Sequence, residues 1–368
     1  MKRSFIKVCL AGIVATSLFV GCGQRTTNEH STSKFETLES DVQVGMVTDS
    51  GSIDDRSFNQ GTWEGVVGAV TEAHSKYIQP KNTTESDFLI AISNLYDAGY
   101  QFIVTPGYAF ESAIYEAQTR YPDAHFLLLD GLPRNQAGES YIANNTTCIS
   151  FAEQEASFLA GVAAAVEIKE GDFAFLGGME VPAVQKLNWG FQQGITYANE
   201  HLGTHINLSA DNVIYQGTFT DMAAGQQIAS QLLDKGVDVI LVAAGTTGVG
   251  AITEVKARAS QGEAVWTIGV DVDQYQEGVY AEGKSVMLTS AMKYLDQATY
   301  TTIKAFTEGE FNGGASEVFS IANNGVGIPA ENPNLSDETM KVVEDVKAKI
   351  SAGEIVVAEN NDNNTLIK

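Results

Sequence analysis

Positive charge is scarce in this 368-residue chain: 22 Lys and Arg stand against 46 Asp and Glu, a formal charge of −24. That balance argues against a nucleic-acid binder, because a phosphate backbone needs a basic surface to meet it. Cysteine is nearly absent too. Of the three, Cys9 lies in an N-terminal leader and Cys22 directly follows it, so Cys148 stands alone and the body of the chain forms no internal disulfide. With roughly 330 residues beyond the leader, the chain can bury an ample core without one. The five histidines (His30, His74, His125, His201, His205) show no metal-ligand spacing and no nucleophile beside them. The glycine-rich run at 245–250 has no Walker lysine, and the dinucleotide pattern G-x-G-x-x-G is absent. Beyond the leader, no run is long and apolar enough for a transmembrane helix.

The leader itself covers residues 1–21. Lys2, Arg3 and Lys7 make a positive start, and an apolar run over 8–20 follows that is too short to span a bilayer comfortably. The junction Leu18-Phe19-Val20-Gly21-Cys22 resembles the lipobox of bacterial lipoproteins, with Phe19 where that pattern usually has Leu. The resemblance implies that Cys22 becomes a lipidated N-terminus. The alternative is a plain secretory signal with a chance cysteine. Three of the 22 basic residues belong to the leader, so the rest of the chain carries about −27. Such a surface repels anionic lipid, and the anchor is expected to hold the protein at the membrane. Residues 22–40, rich in Thr, Ser, Asn and Glu, suit a flexible tether.

From residue 41 short apolar runs alternate with helical spacing, the pattern of parallel α/β units. Strands are expected over 43–47, 77–78, 102–105, 126–130 and 141–149. A second set is expected over 173–177, 212–215, 239–242 and 265–271, with later strands over 285–289 and 318–321. Helices are expected over 87–98, 109–120, 153–168, 185–201, 221–235, 247–261, 295–308 and 334–349. Strands end repeatedly in Gly, Asp or Thr, as βαβ units do. Two similar halves joined by several connections follow, with 41–148 plus 274–309 as lobe one and 149–273 plus 310–368 as lobe two.

Ligands of open α/β sheets bind beyond the carboxyl ends of the strands. The polar and aromatic residues expected there are Asp49, Phe58, Asn59, Asp130, Phe219, Gly245, Asp271 and Lys293. Phe58 and Phe219 each sit in a polar loop, one per half. Each is either a lid over the core or one face of a clamp on a flat ring. Asp130 and Asp271 end apolar strands, where an aspartate either caps the next turn or holds a ligand. Lys293 is either a solvated surface lysine or a donor to a sugar hydroxyl. Asp49-Ser50-Gly51-Ser52-Ile53-Asp54-Asp55 loosely resembles the calcium-holding aspartate cluster of nucleoside hydrolases, but Val47 stands where that cluster has a further acid.

The lipobox, VGMVTDSGSIDDRSFNQGTWEG, FLLLDG, EQEASFLAGVAAA, WTIGVDVDQY and VGIPAENPNLS together resemble the basic membrane protein family of substrate-binding lipoproteins. Within it the chain is most similar to the purine nucleoside receptor type. The resemblance implies a two-lobed type I periplasmic-binding-protein fold, mostly parallel sheets flanked by helices, with the ligand between the lobes. It implies Phe58 and Phe219 on the base, Asp49, Asn59 and Asp130 near it, and Gly245, Asp271 and Lys293 around the ribose. The family's Gly-Gly-Thr-Gly run here reads Ala244-Gly245-Thr246-Thr247-Gly248, one residue longer. The expected function is nucleoside capture for an ABC importer, as a monomer without cofactor or metal, lipid-anchored on the extracytoplasmic face, with permease and ATPase partners. The rival readings are a metal-dependent nucleoside hydrolase and a sensory or adhesive surface lipoprotein.

Overall fold

The first strand, β1 (Val44–Val47), is four buried apolar residues that stop at the turn formers Thr48–Gly51, and α1 (Phe58–Ala69) follows the loop. The same unit recurs along the chain in this computed structural model, which describes residues 34–362 and 365–367. The expected leader, Cys22 and most of the tether lie outside the described residues. Next come β2 (Ser75–Ile78), α2 (Glu85–Asp97), β3 (Phe102–Pro106), α3 (Glu111–Arg120), β4 (His125–Leu129) and β5 (Thr146–Phe151). Then follow α4 (Glu153–Ile168), β6 (Glu170–Gly177), α5 (Pro182–His201), β7 (His205–Asn207), β8 (Val213–Tyr215) and α6 (Met222–Asp234). After β9 (Val239–Ala243), α7 (Gly245–Ser260) and β10 (Trp266–Asp271), a small hairpin forms from β11 (Val279–Ala281) and β12 (Lys284–Ser285). The chain finishes with β13 (Met287–Lys293), α8 (Leu295–Thr307), β14 (Ser316–Phe319), β15 (Val326–Gly327) and α9 (Asp337–Ser351).

Two sheets organise these elements. One runs β14-β5-β4-β3-β1-β2, parallel throughout. The other runs β15-β13-β10-β9-β6-β7 with β8 beside β6, and only β15 is antiparallel to its neighbour. The order 2-1-3-4-5 within each sheet is that of a doubly wound fold, whose crevice lies at the carboxyl ends of the strands. α2 and α3 cover one face of the first sheet and α6 and α7 one face of the second. The other faces share a core that includes α4, whose residues from Ala156 to Ala165 are buried without a break. That stretch is almost wholly apolar because none of it meets water.

The expected lobes need correcting at two places. β13 falls in the second sheet, paired in parallel with β10, whereas the segment 274–309 was assigned to lobe one. β14 falls in the first sheet beside β5, whereas 310–368 was assigned to lobe two. Between these two strands in the chain, α8 packs on α1. Strand periodicity shows that a segment is a strand, but the choice of sheet depends on which neighbour its backbone pairs with. The chain thus crosses between sheets at Ala152, at Tyr294 and over 320–325.

Candidate functional site

A cavity of about 700 Å³, its mouth included, opens between the carboxyl ends of the two sheets. Its walls contain all eight residues singled out from the sequence: Asp49, Phe58, Asn59, Asp130, Phe219, Gly245, Asp271 and Lys293.

The N-terminus of α1 builds one wall. Asp55 accepts from the backbone N–H groups of Ser57, Asn59 and Gln60 at 2.9, 3.0 and 3.1 Å and so caps the helix from inside the fold. Burial pushes its carboxyl up to about 6 despite these bonds. The Asn59 amide donates to Asp49 at 2.9 Å and to Asp55 at 2.8 Å, and its buried carbonyl oxygen has no partner among the described residues. Asp49 also accepts from the Gly51 N–H at 3.0 Å, and burial raises its carboxyl. The acids of this loop are thereby engaged as hydrogen-bond acceptors within the loop.

A charged cluster lies beside this wall, contributed by the ends of β4, β10 and β13 and the start of α4. Asp130 and Asp271 each follow the last apolar residues of a strand with left-handed backbones, φ 52° and 68°, a conformation aspartate tolerates better than most side chains. β10 pairs with β13 so that Asp271 lies opposite Met292, which brings Lys293 alongside. The Lys293 ammonium donates to Asp130 at 2.8 Å and lies 3.2 Å from Asp271 and 3.9 Å from Glu153. Burial alone would lower the Lys293 pKa, but Asp130, Asp271 and Glu153 together outweigh it and raise it. Lys293 is only 4% exposed, so it is no surface lysine. The second oxygen of Asp130 is buried with no partner among the described residues. Glu153, the first residue of α4, is pushed up to about 8 by burial and by Asp130, against Lys293 and Lys186.

The aromatics come from different elements. Phe58 opens α1 and lines the cavity, and its ring has the Lys293 ammonium 4.3 Å from its centroid. Phe219 lies in the loop before α6, so close over Gly178 that a Cβ there would stand 2.3 Å from the ring. Gly245 starts α7 at φ 53°, beside the Phe219 carbonyl, and a side chain there would be strained.

Three lining or neighbouring groups escaped the sequence reading. Glu153 looks like an ordinary first-turn acid, which helix dipoles favour anyway. Ser57 looks like an ordinary helix cap. Tyr108 follows Pro106-Gly107, a turn signal without chemistry of its own.

The cavity can enclose a flat ring near aromatic faces and a neutral polar group near carboxylates. The family model for the PnrA-like ABC transporter substrate-binding proteins matches residues 42–361. A CD4+ T-cell-stimulating antigen of Listeria innocua is 31% identical over 371 residues, spanning 98% of this chain and 99% of the relative. The ABC transporter nucleoside-binding protein BmpA of Lactococcus lactis is 29% identical over 97% of this chain and 99% of its own. Among solved structures, an ABC transporter solute-binding protein of Aeropyrum pernix superposes with a TM-score of 0.73 at 25% identity, over 87% of this chain and 95% of the other. The two-lobed type I periplasmic-binding fold expected from the sequence agrees with that neighbour and with the paired sheets. The family is one of ABC transporter substrate-binding proteins, which act outside the cytoplasm with a permease and an ATPase and are not enzymes, so the hydrolase reading lapses. A match over most of the chain, on a fold whose inter-sheet cavity suits a small solute, places this protein in the PnrA-like family of ABC transporter substrate-binding proteins.

Proposed function

We propose that this protein captures nucleosides, purine ribonucleosides among them, and presents them to the importer while held to the membrane by lipid on Cys22. Asp271 carries the reading. It is a buried carboxylate at the end of an apolar strand, facing a cavity also lined by two phenylalanines. A vicinal diol can donate one hydrogen bond to each of its oxygens, while the base rests against Phe58 and Phe219. Asp49, the free Asn59 carbonyl and Asp130 offer acceptors to donors on the ligand, and Gly245 lets the backbone come close. The printed description of the Lactococcus lactis relative, a nucleoside-binding protein, supports the same class.

Charge narrows it further. Lys293 is the only cation among the described residues lining the cavity, and Asp130, Asp271 and Glu153 already surround it. A phosphate would meet carboxylates with no cation left for it, so nucleosides are favoured over nucleotides. The elements of the first sheet with α1–α3 and α8 form one lobe, the remaining elements the other, and the two close about the ligand like a hinge.

Native mass spectrometry of the protein as purified tests the reading. The expected spectrum contains a co-purified species with the mass of a nucleoside, released intact on denaturation. A sugar or an amino acid in its place would overturn it.

A further inference from the structure

Ser57 occupies the N-cap position of α1, where a serine hydroxyl ordinarily accepts from the first helical N–H groups. Here it makes no such bond, because the Asp55 carboxylate has taken over the cap. The freed hydroxyl turns across the cavity and donates to Oδ2 of Asp271, although Ser57 belongs to the first sheet's loops and Asp271 ends a strand of the second. Ser57 is 2% exposed and Asp271 7%, so the bond is shielded from water. A second bond beside it joins the same two loops: the Gln274 amide donates to the Arg56 carbonyl at 2.6 Å, while its own oxygen accepts from the Val270 N–H at 3.0 Å. Lys293 lies against Oδ1 of Asp271, on the other side of the carboxylate.

We propose that Ser57 is a positioning residue for ligand recognition: it fixes the rotation of the Asp271 carboxylate so that both oxygens present a free lone pair to a vicinal diol. This rests on the nucleoside reading above. Among the described residues Oδ2 of Asp271 accepts from the Ser57 hydroxyl and Oδ1 is ion-paired with the Lys293 ammonium, and each oxygen can accept one more hydrogen bond. Without Ser57 the carboxylate keeps its partner only on the Lys293 side and can swing toward the ammonium, spoiling the spacing that two adjacent hydroxyls need. A ligand without the hydroxyls has nothing to lose from that swing. The Asp-Asp-Arg-Ser motif at 54–57 thus divides two tasks: the second aspartate caps the helix and releases the serine for the site.

Titration calorimetry on the full soluble chain with adenosine and guanosine, each paired with its 2′,3′-dideoxy form, tests this. Ser57→Ala is expected to weaken the ribonucleosides about tenfold and the dideoxy forms less than about twofold, and Ser57→Thr, which restores a hydroxyl, to recover most of the loss. Ser57→Gly, tolerated at N-caps, carries the test should alanine fail to fold. Equal losses for both ligand forms, or none for either, would overturn the proposal while leaving the nucleoside reading intact. A wild-type protein that binds none of the four ligands would overturn both.

Discussion

At the scale of single residues, the two phenylalanines and Glu153 make different demands. Phe58 has one face against Lys293, and Phe219 lies on the Gly178 backbone, so each ring is held in place before any ligand arrives. Phe58→Ala and Phe219→Ala should each weaken nucleoside binding by about 1–3 kcal/mol in calorimetry on folded variants. Unchanged affinity in either would return that ring to the role of a lid over the core. Glu153 bears on stability instead. Its carboxyl titrates near 8 in the fold and near 4.5 in the open chain, so the stability its protonated form contributes is complete below about 4.5 and lost as pH rises through about 8. Thermal unfolding followed from pH 5 to pH 9 should show the wild type losing ground to Glu153→Gln over that window, by about several degrees. Parallel curves would mean that Lys293 and Lys186 keep Glu153 ionised throughout. The eight positions read from the sequence line one cavity because strand ends converge there in any doubly wound sheet. Glu153 and Ser57 were hidden because each is an unremarkable residue for the start of a helix, and only the fold shows what they face.

At the scale of elements, the order of strands and helices was legible because their periods differ. The helix expected over 153–168 is α4 to the residue, and β10 begins one residue later than expected. Sheet membership of β13 and β14 was not legible, since it rests on pairings between segments far apart in the chain. Also invisible in periodicity was the closeness of α4 and α5. An added Cβ at Gly190 would lie 2.2 Å from the Gln154 carbonyl oxygen, and one at Gly194 2.3 Å from that of Phe158. Both clashes are with backbone, which cannot rotate away. Gly190→Ala should therefore force the helices apart and cost about 1–3 kcal/mol in denaturant unfolding. A change below about 0.5 kcal/mol would show that the two helices part freely. The displacement would also reach the ligand cavity, because Glu153 lies one residue before Gln154.

At the scale of the whole molecule, a strongly acidic body follows a polar N-terminal segment and a junction, Leu18–Cys22, that resembles a lipobox, and the lipid on Cys22 is part of the proposed function. Cys22→Ser should leave the protein unprocessed or shed from the membrane in cell fractionation. Anchoring and processing as before would sink the lipid assignment. The body brings two sheets together at one cavity, where a single lysine among the described lining residues pairs with Asp130 and Asp271, and the proposed reading has these carboxylates meet a neutral sugar. Recognition of an intact ribonucleoside through Asp271 is what distinguishes this from every other small-solute reading of the fold. The decisive measurement is a calorimetric comparison of adenosine and guanosine with their 2′-deoxy forms, monophosphates and free bases, on wild type and Asp271→Asn. The ribonucleosides should bind most tightly, the monophosphates and free bases poorly. Asp271→Asn should cost the ribonucleosides about 1.5–3 kcal/mol, and the 2′-deoxy forms less because one of the two bonds is already missing. Equal losses for ribo and deoxy forms, or monophosphates binding as tightly as nucleosides, would contradict it.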